Sequence, residues 1–500
     1  MFQRLRIANE APSKVSKPDN YQTLQEQSQQ RILDDRPRAD RFLPPISLLY
    51  DGFGVFNDVI QGRFPVLGED SILEVELWDK VNAFANQMAG FYDTEAERRG
   101  TVLGHLGRIF RARRDPRAVG GSIKASKIGG LQIISDGHLD GAHGAMVFCI
   151  ECKNELSGIS CEPSAELVSY VASSFKEQLD GEHRALFHGW RVPALGMTQI
   201  GKWIPCAPCL HPLTGCLGAF VQFFGIVMLT PNMRIVPLTP MLPLATPLDD
   251  ELPRRVLFLA FKAASIVLAK IQADVSKHVQ ETPPEIPLEL RGLPSVTGVP
   301  AIESSSPRIN FTLLGRYDTT AEYRNLYHAR QLTPTKDIYV KFTQRYSTEL
   351  HGFCATEGLA PELLGFERLP GGWFVLAMEK VDIVSPWEME YFPELDNWKK
   401  DILGLVESFH RKGLVHGDLR LTNFIFTKSS PCRMLLVDFD WGGETAKVCF
   451  PRGELAEGLR VWGDQDQRLD QPITEGDDNR VLAETFKLLD QLAAGALERG

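Results

Sequence analysis

No stretch of this 500-residue chain carries the roughly 20 consecutive apolar residues that a bilayer-spanning helix needs. The longest apolar run, LGAFVQFFGIVML at 217–229, is too short for that and reads as a buried strand or core helix. The first thirty residues lack a hydrophobic stretch ahead of a small-residue cleavage site. No secretory signal is therefore expected. An intracellular setting, cytoplasm or nucleus, is expected, with no membrane partner. A disulfide framework is missing too, because nine cysteines, an odd number, are scattered between residues 149 and 449. That is the pattern of free thiols in a reducing compartment. A strong excess of positive charge is also absent. The net charge of −10 excludes a protein that coats nucleic acid non-specifically, while leaving room for a local basic site. No internal repeat is visible.

Two Cys-x-x-Cys pairs raise zinc, since two such pairs can build a tetrahedral site. Cys149 and Cys152 lie in AMVFCIECK, which reads as a strand and would point them to opposite faces. Cys206 and Cys209, with His211 and Cys216 nearby, fall in a loop and stay a zinc candidate.

The chain is longer than one core usually organises, so two domains are expected. Residues 1–45 are polar and read as a mobile, disordered tail. Residues 46–278 show regular apolar periodicity of both helix and strand type. Residues 279–308, dense in Pro, Ser and Gly, read as a linker, and a new pattern of strands and helices fills 309–500.

In the last region, HGDLRLTNF at 416–424 is followed by LLVDFDWGG at 435–443. Phosphoryl transfer needs metal ions, a cation on the phosphates and an acceptor for a hydroxyl proton. Asp418 is placed to orient the hydroxyl, Asn423 can hold a second Mg²⁺ without adding charge, and Asp438 supplies a hard carboxylate for the first. Lys341 interrupts the apolar strand DIYVKFT, where its charge needs an anion: the phosphates of ATP and Glu349 on the following helix. WFVLAMEKVD at 373–382 reads as a strand and hinge for an adenine, with Glu379 at its end.

These segments, in this order, resemble the protein-kinase-like fold over residues 310–490. HGDLRLTNF is similar to its catalytic loop and DFD to its metal-binding triplet. The resemblance implies Asp418 as catalytic base, Arg420 near the transferred phosphate, and Lys341 and Glu349 as an ion pair. It also implies Mg²⁺ on Asn423 and Asp438, ATP as nucleotide, and protein Ser/Thr hydroxyls as acceptors. Departures are Gly417 where regulated kinases carry an arginine, Asp440 in place of the triplet's glycine, and one glycine in LLGRYDTTAEYRN where three are usual. One alternative is a nucleotide-binding scaffold without catalysis, and another is a Mg²⁺-dependent DNA nuclease whose kinase-like domain only senses ATP.

Upstream, Asp136 in SDGHL and Glu151 in IECKNE could meet at one end of a β-hairpin, with Lys153 on the same face as Glu151. Two carboxylates and a lysine can hold Mg²⁺ and activate water for phosphodiester cleavage. Arg98–Lys127 contains nine basic residues and one acid, which suits a nucleic-acid backbone as partner. The Asp…Glu-x-Lys set resembles the PD-(D/E)xK restriction-endonuclease-like fold, with Glu95 as its extra helix carboxylate and Glu97 as the rival. The fold expected is therefore α+β in two domains, an endonuclease-like α/β core followed by a bilobal kinase-like domain. That combination resembles fungal nuclease–kinase proteins related to Crinkler effectors.

Overall fold

A computed structural model describes residues 11–26, 32–33, 43–63, 71–90, 92–110, 121–128, 133–153, 162–181, 184–187, 189–201, 219–229, 232–246, 250–281, 285–302, 308–317, 325–389, 391–450 and 471–499. Both halves mix helices and sheets, and the chain divides into two compact units, Met1–Val296 and Thr297–Gly500. The zinc candidates Cys206, Cys209, His211 and Cys216 lie outside the described residues. So do Arg111, Arg113, Arg114 and Arg117 of the basic segment, and much of LLGRYDTTAEYRN.

The first unit contains, in chain order, α1 (Pro12–Val15), α2 (Pro18–Glu26), β1 (Ile32–Leu33), α3 (Asp51–Ile60), α4 (Ser71–Met88) and α5 (Glu95–Phe110). These lead to β2 (Gly137–Asp140), β3 (Met146–Lys153), α6 (Pro163–Asp180), β4 (Val192–Ile200), β5 (Phe220–Met228), β6 (Met233–Pro237) and α7 (Glu251–Glu281). The sheet runs β1-β6-β5-β4-β3-β2, with Leu242–Pro243 adding a short strand beside β5. β2 and β3 form an antiparallel hairpin, and α6 then crosses over so that β4 lies parallel to β3. Strands in the middle of a sheet covered on both faces read as near-continuous apolar runs. Accordingly β4 is buried along its whole length, and β3 up to Lys153.

The run at 217–229 is the buried strand β5. Among the described residues one helix, the 31-residue α7, is long and apolar enough to cross a membrane, and more than half of its apolar window is buried inside the unit. Its Leu257, Phe261, Ala264, Leu268, Ile271 and Val275 recur every three or four residues and are buried in the unit's core.

Two expectations need correction. Residues 11–26 and 32–33 are not a mobile tail, because Val15, Tyr21, Leu24, Ile32 and Leu33 are buried in the same core and β1 pairs with β6. The irregular spacing of so few apolar residues among polar ones hid this. Nor is 279–308 a uniform linker. α7 continues to Glu281, Arg191 Nε and Nη2 donate to the carbonyls of Arg291 (2.9 Å) and Leu290 (2.8 Å), and Ser295 N–H donates to Leu48 O (2.7 Å). Those bonds satisfy backbone groups that a free linker would leave to water.

The second unit holds β7 (Gly298–Val299), β8 (Ile309–Arg316), β9 (Asn325–Leu332), β10 (Thr335–Thr343), α8 (Thr348–Thr356), β11 (Leu363–Leu369) and β12 (Trp373–Glu379). Its strands form a six-stranded sheet, β7-β8-β9-β10-β12-β11. β13 (Ile383–Val384), α9 (Leu395–His410), β14 (Phe424–Thr427), β15 (Met434–Leu436) and α10 (Glu475–Arg499) follow, with β13-β14-β15 making a small sheet. α9 packs Trp398, Ile402, Leu405 and Phe409 into a core shared with Phe424, Phe426, Leu482 and Leu489.

Leu24→Ala is expected to lower unfolding stability by about 2–4 kcal/mol, the cost of a cavity in a packed core. Chemical denaturation of the full chain checks this. A change within about 0.5 kcal/mol, as on a mobile surface segment, would contradict the packed arrangement.

Candidate functional site

In the second unit, β10 alternates its side chains. Ile338, Val340 and Phe342 are buried in the hydrophobic core, while Tyr339, Lys341 and Thr343 share the other face. That face borders a cavity of about 440 Å³ whose wall includes Tyr339, Lys341, Met378, Glu379, Thr422 and Asp438. Its size suits a small-molecule ligand.

Lys341 is 9% exposed, so its charge must be matched locally. Its Nζ donates to Asp438 Oδ1 at 2.5 Å and to Asp440 Oδ1 at 2.6 Å. Burial disfavours the ammonium, but the two carboxylates outweigh it and hold its pKa above the ordinary lysine value. For Asp440 burial outweighs its cationic partner. Burial pushes its carboxyl up to about 6, with Lys341 pulling down and Asp438 pushing up. Asp438 sits at φ 71°, a left-handed conformation that aspartate tolerates better than most residues.

The expected Lys341–Glu349 pair does not form. On α8 it is Leu350, His351 and Cys354 that face the core, leaving Glu349 exposed beside a separate cavity with Thr348, Gly352 and Phe366. One residue is about 100° of helical turn, which suffices to rotate a carboxylate away. Glu379 does line the first cavity, and its Oε2 accepts from Glu362 N–H at 3.3 Å.

The segment 416–424 is built around buried hydrogen bonds. Arg420 grips Asp418 in a two-pronged pair, Nε to Oδ1 at 2.5 Å and Nη2 to Oδ2 at 2.7 Å. Asn423 is fully buried and donates from Nδ2 to Asp418 O (2.8 Å), while its backbone carbonyl accepts from Val437 N–H (2.9 Å). Its Oδ1 has no hydrogen-bond partner among the described residues. A buried amide oxygen left unpaired is costly, and a water or a cation would satisfy it. Together with the Asp438 carboxylate, this donor set fits Mg²⁺, which takes oxygen ligands and draws the rest from phosphates and water. Among the described residues no three His, Cys, Asp or Glu side chains converge to hold a metal unaided.

Asp478 and His351 went unread in the sequence. Asp478, in the first turn of α10 and 1% exposed, accepts N–H bonds from His416 (2.7 Å) and Gly417 (2.8 Å) and bonds His410 Nε2 (3.1 Å). Clustered acids in EGDDN signal a helix start, but nothing local connects them to a loop sixty residues earlier. His351 stacks on Phe439 with centroids 4.6 Å apart and joins Tyr346 Oη (2.7 Å) to Pro361 O (2.7 Å).

In the first unit, the hairpin brings the expected residues together. Asp136, immediately before β2, accepts from Cys152 N–H (2.8 Å) and from Arg99 Nη1 (3.0 Å). Lys153 forms an ion pair with Glu151 and another with Glu166 at 3.2 Å. Tyr170 Oη donates to Glu151 Oε2 at 2.6 Å, and Ser16 Oγ donates to Glu166 at 2.9 Å. Burial, then the neighbouring Glu166 and Asp136, raise the Glu151 carboxyl well above its usual range against the pull of Lys153. Glu95, at the start of α5, is also raised, by desolvation first, with Lys153 opposing and Asp136 and Glu166 adding. Glu97 is exposed, its backbone N–H held by Thr94 Oγ1 at 3.2 Å. Glu166 and Tyr170 were not anticipated, although an i,i+4 spacing puts both on one helix face.

No protein-family model matches this chain, and no curated protein matches it. Among solved structures, the PK-1 kinase of Cydia pomonella granulovirus is similar to it, with 14% identity and a TM-score of 0.29. The match covers 36% of this chain and 70% of that one. At that distance the likeness carries no weight by itself.

His351 also generates a pH dependence. Burial lowers its pKa from 6.5 to about 4, so the unfolded chain takes up a proton before the folded one does. The resulting stability is complete above about pH 6.5 and is lost as pH falls toward 4, to the extent of about 3 kcal/mol. Denaturation of the full chain across this window should show that slope, and His351→Gln should remove its share of it.

Proposed function

We propose that residues 309–500 catalyse Mg-ATP-dependent phosphoryl transfer in the manner of a protein-kinase-like fold, with protein Ser/Thr hydroxyls as acceptors. The observation that carries this is convergence: a buried lysine and an aspartate, from segments nearly a hundred residues apart, meet on the wall of one nucleotide-sized cavity. Beside them, Asn423 ties itself to both the Asp418 and the Val437 backbone.

In this reading Lys341 holds the phosphates, and Asp438 with Asn423 Oδ1 would hold Mg²⁺, whose charge would offset that on the transferring group. The acceptor oxygen forms its bond to the γ-phosphorus as the bond to the bridging oxygen breaks, and ADP leaves with that electron pair. Asp418 orients the acceptor hydroxyl and takes its proton. Arg420 fixes the Asp418 carboxylate in plane, leaving the oxygens' remaining lone pairs for the hydroxyl.

Transfer of labelled γ-phosphate from Mg-ATP to the protein or a generic acceptor is expected, falling about 10²-fold or more in Asp418→Ala. Absence of label, with Mg-ATP still raising the melting temperature, would replace catalysis by a nucleotide-binding scaffold.

A second reading concerns the first unit, where the assembled Asp136, Glu151 and Lys153 favour Mg-dependent phosphodiester cleavage of a nucleic acid. Asp136 and Glu151 are the oxygen donors such a metal would use. Nicking of supercoiled DNA that requires Mg²⁺ and disappears in Glu151→Ala is the expected result. Nicking that survives this substitution would remove the reading.

A further inference from the structure

We infer that Asp440 is the positioning residue for Lys341, standing where a helix carboxylate was expected. The inference rests on the phosphotransferase reading above. Because β10 alternates, Lys341 and Thr343 project on one face, and Asp440 takes hold of both. Its Oδ1 accepts from Lys341 Nζ at 2.6 Å and its Oδ2 from Thr343 Oγ1 at 3.1 Å, a hydroxyl that also reaches Arg345 O at 2.9 Å. α8 offers no substitute, since Glu349 is exposed at a different cavity.

Asp440 thereby separates two jobs that Asp438 cannot do at once. Asp438 shares Lys341 at 2.5 Å and is also the carboxylate that suits a metal. Once a metal draws on Asp438, Lys341 still has Asp440 to fix its ammonium toward the phosphates. With both Asp440 oxygens committed to β10, the residue serves the lysine and not the metal. The aspartate in the third position of DFD is on this account a working part, not a decayed glycine.

The test uses the full-length chain as wild type, Asp440→Asn, Asp440→Glu, Asp438→Asn and Glu349→Gln. It measures γ-phosphate transfer against ATP and Mg²⁺ concentration, and equilibrium binding of a fluorescent ATP analogue. Asp440→Asn is expected to lower kcat/KM for ATP about tenfold or more while leaving the half-saturating Mg²⁺ concentration unchanged. Asp440→Glu should recover part of the loss, Asp438→Asn should raise the Mg²⁺ requirement, and Glu349→Gln should match wild type. An Asp440→Asn variant that needs more Mg²⁺, as Asp438→Asn does, would make Asp440 a metal ligand and overturn the inference. So would wild-type kinetics in Asp440→Asn, or a loss in Glu349→Gln. Wild-type protein that binds the nucleotide while Asp440→Asn behaves identically sinks this inference alone. Wild-type protein that neither binds nor transfers sinks the phosphotransferase reading with it.

Discussion

A carboxylate with almost no contact with water must be surrounded by donors, and Asp478 obtains three of them from the segment whose shape matters most. Two are backbone N–H groups of His416 and Gly417 and the third is the His410 ring. These bonds fasten the start of α10 to the loop that carries Asp418, and that loop fastens Asn423 through its side-chain amide. Asn423 in turn holds Val437, the residue before Asp438. One buried charge therefore fixes a chain of backbone positions that ends at the cavity wall. The hydrophobic core of α9, β14 and α10 supplies the stability, but the polar chain supplies the register.

The first unit solves a similar problem with a different set of groups. Glu151 lies in the middle of a buried sheet, where Lys153, Tyr170 and Glu166 surround it. Glu166 is tied to Ser16, so α1 is wired to the carboxylate cluster by a side-chain bond as well as by apolar packing. Residues at the start of the chain thus participate in the polar centre of the unit.

How much of this was legible depended on the range of the signal. Local periodicity revealed β10, β12 and the β2–β3 hairpin, because a strand's alternation is written in consecutive residues, while the full apolar run of β5 fitted a strand or a core helix equally. The short-range pairing of Asp136 with the Glu151–Lys153 strand followed from the hairpin turn. What failed was angular or long-range. Glu349 has the right distance from Lys341 along the chain but the wrong phase on its helix, and Asp440 was read only as a missing glycine. Asp478, Glu166 and Ser16 act on residues between sixty and 150 positions away, and no pattern within a single segment records such partners. The packed residues of 11–26 and 32–33 escaped notice for the same reason, since their apolar side chains have no period of their own and match only the core they join.

Gly417 carries a consequence for how such a protein could be governed. It sits at φ 80°, and a Cβ there would lie 2.8 Å from Ile473 Cδ1 and 3.2 Å from Trp441 Cβ. An arginine at this position would need a different backbone and a different neighbour in Ile473 before it could grip a phosphorylated loop. A single substitution to arginine at this position therefore carries both a conformational and a steric cost, so the shape of this turn is tied to the absence of a side chain.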